Sequence, residues 1–329
     1  MRLLRVTLEF KGAIHQGTAS HAKTSGALVH SDTLYSALLH TAATLHRTAF
    51  LEAYDKIWVS SVFPVWENIH FYPKPHLSPP RQDGENTDRK RWKSIKLVSE
   101  NLFSAWLAGN EDQVREAQDL GSGLAVTKAE YHSLQQRLPR RGFIHKDVLT
   151  SAVIDRITNG ATPFDRPVLR VNASEKVHAY FLAQVPEDLE PAFRETMEAL
   201  SMAGLGGRLA VGCGAFVVRA IEPFSFSTPY ISEPIAFVTV SLYLPTREEV
   251  AAGVLDGPAS YECTVRGGWL YGADTHAIRA VRMCLEGCIF KHIGKGYYGE
   301  VRDVSAGALP HRLWRSGLTL PIPVTCTRT

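Results

Sequence analysis

Two kinds of residue in this chain have the types and spacing to cut or to hold a phosphodiester. The first is histidine: His15, His21, His30, His40 and His46 all fall within the first fifty residues. Cleavage of RNA by its own 2′-hydroxyl needs a general base, a general acid and a cation for the phosphorane. His15 and His21, on a polar stretch, are the candidate pair. Surface or core histidine is the plainer reading of the same residues. Their spacing fits no zinc site. No His-Glu-x-x-His or Asp-x-Asp occurs and Asp32 stands alone, so two-metal chemistry has no obvious ligand set.

The second kind is glycine among small residues. Gly204-Leu205-Gly206-Gly207-Arg208-Leu209-Ala210-Val211-Gly212-Cys213-Gly214 follows a helical pattern and precedes a strand-like one. Nucleotide-binding loops run the other way, strand then helix, so that helix amides meet phosphate. No Gly-Lys-Ser or Gly-Lys-Thr follows, and no cofactor is expected. What remains is a backbone that another chain or a phosphodiester can approach closely, or simply a β-bulge loop. A basic run, Arg89-Lys90-Arg91-Trp92-Lys93-Ser94-Ile95-Lys96, suits single-stranded nucleic acid. Lys93 and Lys96 would meet phosphates and Trp92 would stack on a base; the alternative is a solvated charged loop. A second run, Arg137, Arg140, Arg141, His145 and Lys146, closes the same stretch.

The elements that must position these residues are legible in outline. Leu4, Val6, Leu8 and Phe10 alternate with Arg5, Thr7 and Glu9, a half-buried strand. Leu34, Ala37, Leu38, Ala42 and Leu45 make a helical stripe from Ser31, with Ser31 or Asp32 as its cap. Strands are expected at 57–60 and 69–72, and an insertion of sparse apolar content over about 76–146, with weak helices near 99–108 and 111–119. A strand over 178–185, a helix from Pro186 to Gly204 and a strand over 216–221 complete a split β-α-β unit. Prolines 223, 229 and 234 mark a linker. Beyond it lie a strand at 235–244, a Thr246/Glu249 capping box, further strands at 261–265, 281–285, 288–293 and 318–324, and a Glu286-Gly287 hairpin turn.

Composition bounds the rest. The chain has 329 residues, 45% hydrophobic, with 36 Lys plus Arg against 33 Asp plus Glu. That is ordinary globular composition for about two domains. The excess of three positive charges leaves any polyanion surface to local placement. Five cysteines in a long chain read as buried thiols of a reducing compartment. No signal peptide or membrane span is evident, and the expected location is the cytoplasm.

An ordered series of motifs points to a family. His30-Ser31-Asp32-Thr33-Leu34-Tyr35-Ser36-Ala37-Leu38, Phe63-Pro64, Tyr72-Pro73-Lys74-Pro75, the run ending at Lys96, the glycine loop, Glu286-Gly287-Cys288-Ile289-Phe290 and Trp314-Arg315-Ser316-Gly317 span nearly the whole chain. Together they resemble the fourth Csm protein, a RAMP-superfamily subunit of type III-A CRISPR effector complexes. The resemblance implies an α+β fold of two ferredoxin-like (RRM-like) domains, 1–222 with the insertion and a degenerate copy over 235–329. It implies a subunit without catalysis that holds the crRNA 5′ tag and contacts the large polymerase-like signature subunit and the backbone RAMP subunit. The RNA contacts expected are His15, Ser31, Lys93, Lys96 and Arg141, then Gly204, Gly206, Gly207, Arg208, Gly212 and Gly214 of the loop, then Lys291 and Lys295. The loop departs from the family pattern. Leu209, Ala210, Val211, Cys213 and Ala215 replace polar, aromatic or basic residues, which leaves Arg208 as its one charge. Ser31 and the loop are expected to form one phosphate-holding site. Two other readings are a metal-independent RAMP endoribonuclease that processes precursor crRNA, with His15 as base, and a purely protein–protein bridge.

Overall fold

The computed structural model describes residues 1–15, 25–79, 86–134, 142–226, 234–269, 277–306 and 311–324. His21, Arg137, Arg140, Arg141 and Cys326 lie outside the described residues.

The alternating first strand, Arg2–Phe10, is the hub of the main sheet. It pairs antiparallel with Val177–Val185 on one side and with Phe216–Pro223 on the other. Val177–Val185 pairs in turn with Phe63–Trp66. Two fourteen-residue helices, Ser31–Thr44 and Glu190–Ala203, pack on each other. Their stripes, Leu34 and Leu38 with Phe193 and Met197, share one core with Leu4, Val6 and Leu8. The second helix starts where Pro191 costs no backbone bond and stops at Gly204, whose φ of 88° suits glycine. In chain order this is strand, helix, strand, strand, helix, strand, with the first strand lying between the last two.

The stretch 76–146 departs from expectation. It widens the main sheet instead of looping out from it. Leu97–Ser99 pairs with Ile69–Pro73, Leu124–Val126 runs parallel beside it, and Gln118–Gly121 forms the edge. Trp92, Ile95, Leu102, Phe103, Trp106 and Val126 join the main core. Its strands, of three or four residues each, are too short to display a period, so the apolar residues that converge on the core are scattered in the sequence. The helix Glu100–Leu107 falls where the sequence places it, whereas the helix expected over 111–119 ends at Arg115 and yields Gln118 and Asp119 to the edge strand.

The C-terminal part is mostly β. Its sheet has the order Ile289–Lys291, Ala236–Thr239, Pro321–Val324. Two ribbons accompany it, Cys263–Trp269 with Ala277–Cys284, and Val301–Asp303 with Trp314–Ser316. The Thr246/Glu249 capping box is present and starts the short helix Arg247–Ala251. The expected hairpin at Glu286-Gly287 is not. Ala277–Cys284 and Ile289–Lys291 pair with different strands, because the turn is spent on a contact with the first unit. Gly287 has φ 84°, and a Cβ there would lie 2.4 Å from the Lys74 carbonyl oxygen. No helix among the described residues is long and apolar enough to cross a membrane.

Candidate nucleic-acid interface

The glycine loop folds back onto the segment that follows the first strand. The Gly214 amide donates to the Ala13 carbonyl (2.7 Å), the Gly207 amide to the His15 carbonyl (3.2 Å) and the Leu205 amide to the Gly214 carbonyl (2.9 Å). Ile14 exchanges two backbone bonds with Leu169, at the root of a long hairpin made by Ile144–Ile154 and Ala161–Val171. Loop, residues 12–15 and hairpin root therefore form one surface.

The loop's glycines divide by role. Gly204 and Gly214 are buried with positive φ, and a Cβ on Gly214 would lie 2.0 Å from the Leu205 carbonyl oxygen. Both shape the loop and spend their amides on the Leu200 and Ala13 carbonyls, which corrects their expected RNA contacts. Gly206 and Gly207 are half-buried, and Gly212 and Arg208 are exposed. Arg208 takes the left-handed conformation at φ 63°, uncommon for a residue with a side chain. Gly207 has no positive φ. It is glycine for space, since a Cβ would lie 2.9 Å from His15 Cδ2. His15 is 8% exposed, and its ring packs beside the loop with Nδ1 3.4 Å from the Pro167 carbonyl oxygen.

The hairpin was not read from the sequence. Pro163 and Pro167 mask its second strand, since proline cannot donate to a ladder; both sit on an outer edge. The available signal was Asn159-Gly160, a hairpin dipeptide. Val153, Ile154 and Ile157 at its tip are 60%, 63% and 93% exposed. Along it, His145 and Lys146 are exposed, Arg166 lies 4.3 Å over the Phe164 ring, and Arg170 pairs with Asp147.

The remaining candidates scatter. Lys93 and Lys96 are exposed, as expected of phosphate contacts. Trp92 is not available to stack on a base. It is 7% exposed and meets Trp106 edge-on at 4.8 Å between ring centroids. Beside them Lys74 donates to the Trp92 carbonyl, and burial together with Lys96 pulls its ammonium down to about 8. Lys291 is half-buried on its strand, and exposed Lys295 pairs with Glu249 at 3.3 Å. Both belong to the C-terminal part.

Ser31 is the clearest correction. It is 2% exposed; its amide donates to Ser61 Oγ (2.8 Å) and its own Oγ accepts from the Leu242 amide (3.0 Å). Neither Ser31 nor Asp32 caps the helix, where His30 occupies the cap position. Both open a buried junction instead. Arg266 grips Asp32 through two bonds of 2.9 Å, and Arg315 adds a third. Glu286 accepts from Ser25, Ser61 and His30 Nδ1, the last at 2.8 Å. Burial would raise both carboxylates. The guanidinium groups around Asp32, and His30 with the two hydroxyls around Glu286, outweigh it and hold each at about 2. Burial opposes protonation of His30, yet Glu286 lifts it above its ordinary value. His30, Ser31, Asp32, Glu286 and Arg315 thus belong to one hydrogen-bonded cluster that joins the two parts of the chain, with Arg315 Nε as its one buried atom without a partner among the described residues. It leaves no open position for a substrate, and the described residues hold no group of three metal-binding side chains.

Comparisons with known proteins agree with this architecture. Residues 234–324 match the family model described as CRISPR Csm4 C-terminal domain. No curated protein matches the chain. A chain in the crystal structure of a Csm3-Csm4 subcomplex of the type III-A CRISPR-Cas interference complex superposes with a TM-score of 0.68 at 16% identity, covering 99% of this chain and 100% of that one. Chains in Csm1-Csm4 cassettes solved with pppApA and with AMPPNP give TM-scores of 0.61 and 0.60 at 18% identity, covering 98% of each chain. At such identities the likeness is one of fold, and it runs the length of the chain. The resemblance read from the motif series is borne out.

Proposed function

We propose that this chain, with a Csm4-type C-terminal domain and a Csm4-like fold from end to end, is an RNA-binding subunit without catalysis in a type III-A CRISPR interference complex. It holds the crRNA 5′ tag and bridges the large signature subunit to the backbone RAMP subunit. The observation that carries the RNA part is the surface formed by the glycine loop. Half-open glycines 206 and 207 and exposed Gly212 and Arg208 sit beside a hairpin with exposed basic side chains. Such a surface grips phosphates without reading bases. The bridging part rests on the matched chains, found in complexes with Csm3 and with Csm1. Affinity purification from the native host, with sequencing of bound RNA and identification of bound proteins, tests both parts. Short RNAs sharing one 5′ end are expected; recovery with protein partners but no RNA would leave only a protein bridge.

Two expectations follow for single preparations. The purified chain should not cleave repeat RNA, with or without divalent metal. His15 is packed against the loop, and Asp32 is committed to two arginines. A product ending in a 2′,3′-cyclic phosphate, lost in His15→Ala, would establish the nuclease instead. Second, Lys93→Glu with Lys96→Glu should weaken RNA retention by the assembled complex. Exposed charges cost under about 0.5 kcal/mol of stability, so melting should not move. Unchanged RNA content would mean that these lysines face solvent or a protein.

A further inference from the structure

Cys263 and Cys284 face each other across the ribbon Cys263–Trp269/Ala277–Cys284. Cys284 spends both backbone groups on its other side: its amide donates to the Tyr243 carbonyl (2.8 Å) and its carbonyl accepts from the Tyr243 amide (3.0 Å). In an antiparallel strand both groups of a residue point the same way. Toward Cys263, therefore, Cys284 offers the non-hydrogen-bonded position, where opposed Cα atoms lie about 4.5 Å apart. The next pair agrees, since the Leu285 amide donates to the Glu262 carbonyl (2.9 Å). A disulfide spans Cα separations of roughly 4.4–6.8 Å. The two sulfurs stand 3.6 Å apart, so rotation of the side chains is enough to bring them together.

We infer that Cys263 and Cys284 are a modification site, a dithiol that closes to an intramolecular disulfide by exchange with a small-molecule disulfide. Cys263 is exposed, whereas Cys284 is 4% exposed. The Cys263 thiolate attacks one sulfur of the reagent; that S–S bond breaks and one small thiolate leaves. The Cys284 sulfur then attacks Cys263 Sγ, giving up its proton as the second small thiol departs. Two protein thiols are oxidised and one small disulfide is reduced to two thiols. Burial pushes the Cys284 thiol up, which keeps it protonated and leaves the first attack to exposed Cys263; Cys284 acts second because its sulfur is already held beside Cys263 Sγ. The other described cysteines are excluded by position. Cys288 is fully buried, with Sγ between the Glu262 backbone (3.3 Å to its amide nitrogen) and His76 (3.9 Å). Cys213 packs in a separate cluster with Ala13 and Val168.

The bond would have a structural consequence. Cys263 begins the strand that carries Arg266, and Arg266 holds Asp32 at the buried junction. Closing the dithiol ties that strand to its neighbour and limits its excursions in the unfolded chain.

The experiment equilibrates the full-length chain with oxidised and reduced glutathione at stepped ratios, quenches with acid, alkylates free thiols and maps peptides. Trypsin leaves Cys284 and Cys288 together on Met283–Lys291, so a second protease cutting after Glu286 separates them. The expected result is one link, Cys263 to Cys284, and a rise of a few degrees in melting temperature on oxidation that Cys263→Ser abolishes. In Cys284→Ser, Cys263 should stop at the mixed disulfide with glutathione. A link through Cys288, or a wild-type chain that accumulates only the glutathione adduct on Cys263, overturns the inference.

Discussion

Asp32→Ala should destabilise the folded chain by about 3–5 kcal/mol, the range for removing one partner of a buried ion pair. The carboxylate is 2% exposed, and its loss strands two guanidinium groups, Arg266 and Arg315, inside the junction. Arg315 already has a buried Nε without a partner, so it has little left to fall back on. Chemical denaturation read by tryptophan fluorescence measures the loss. A change under about 1 kcal/mol would mean that water reaches the pair.

The same cluster sets the acid limb of stability. Asp32 and Glu286 are held at about 2, against ordinary values of 3.8 and 4.5. Carboxylates lowered by folding contribute their full stability above the unfolded values and lose it as the pH falls through the folded ones. Stability should therefore decline from about pH 4.5 down to about 2. His30 acts in the opposite sense. Raised from 6.5 beside Glu286, it contributes fully below 6.5 and loses its share as the pH climbs through the raised value. Glu286→Gln should remove its part of the acid limb and the His30 loss together, which a pH series of melts on both proteins would reveal.

What the sequence made legible was local. Leu34 and Leu38, or Phe193 and Met197, announce their helices by spacing alone, and Thr246 with Glu249 announces a cap. Ser31 and Asp32 looked like a cap for the same local reason. Their true partners, Ser61, Leu242, Arg266 and Arg315, lie from 30 to 283 residues away, and no periodicity encodes such distances. Trp92 fails likewise. A basic neighbourhood argued for exposure, but the helix Asn86–Ser94 turns that one side chain onto Trp106. The structure ties several residues of the motif series to one another. His30, Ser31, Asp32, Glu286 and Arg315 are a mutually dependent buried set, and none can change alone without leaving a charge or hydrogen-bonding group unpaired.

Gly207→Asp should cost RNA retention far more than Arg208→Ala. Arg208 is exposed, and an exposed charge pair is worth at most about 1 kcal/mol; its loss should flatten the salt slope by roughly one phosphate. An aspartate at 207 puts a like charge beside any phosphate seated against the loop. Two unit charges 4 Å apart repel by about 1 kcal/mol in water and about 4 kcal/mol near a protein surface. The new Cβ also meets His15 Cδ2 at 2.9 Å, but the Gly207 backbone carries no positive φ, so no backbone strain is added. Two companions separate bulk from charge. Gly207→Ala brings the same Cβ without the charge, and Gly207→Asp with His15→Ala brings the charge without the clash. RNA content of the reconstituted complex is measured beside melting temperature. Loss of RNA in both aspartate proteins, with near-normal retention in Gly207→Ala, identifies a phosphate held at the loop. Retention in the double variant would mean that the His15 clash was the cause and that the phosphate lies elsewhere.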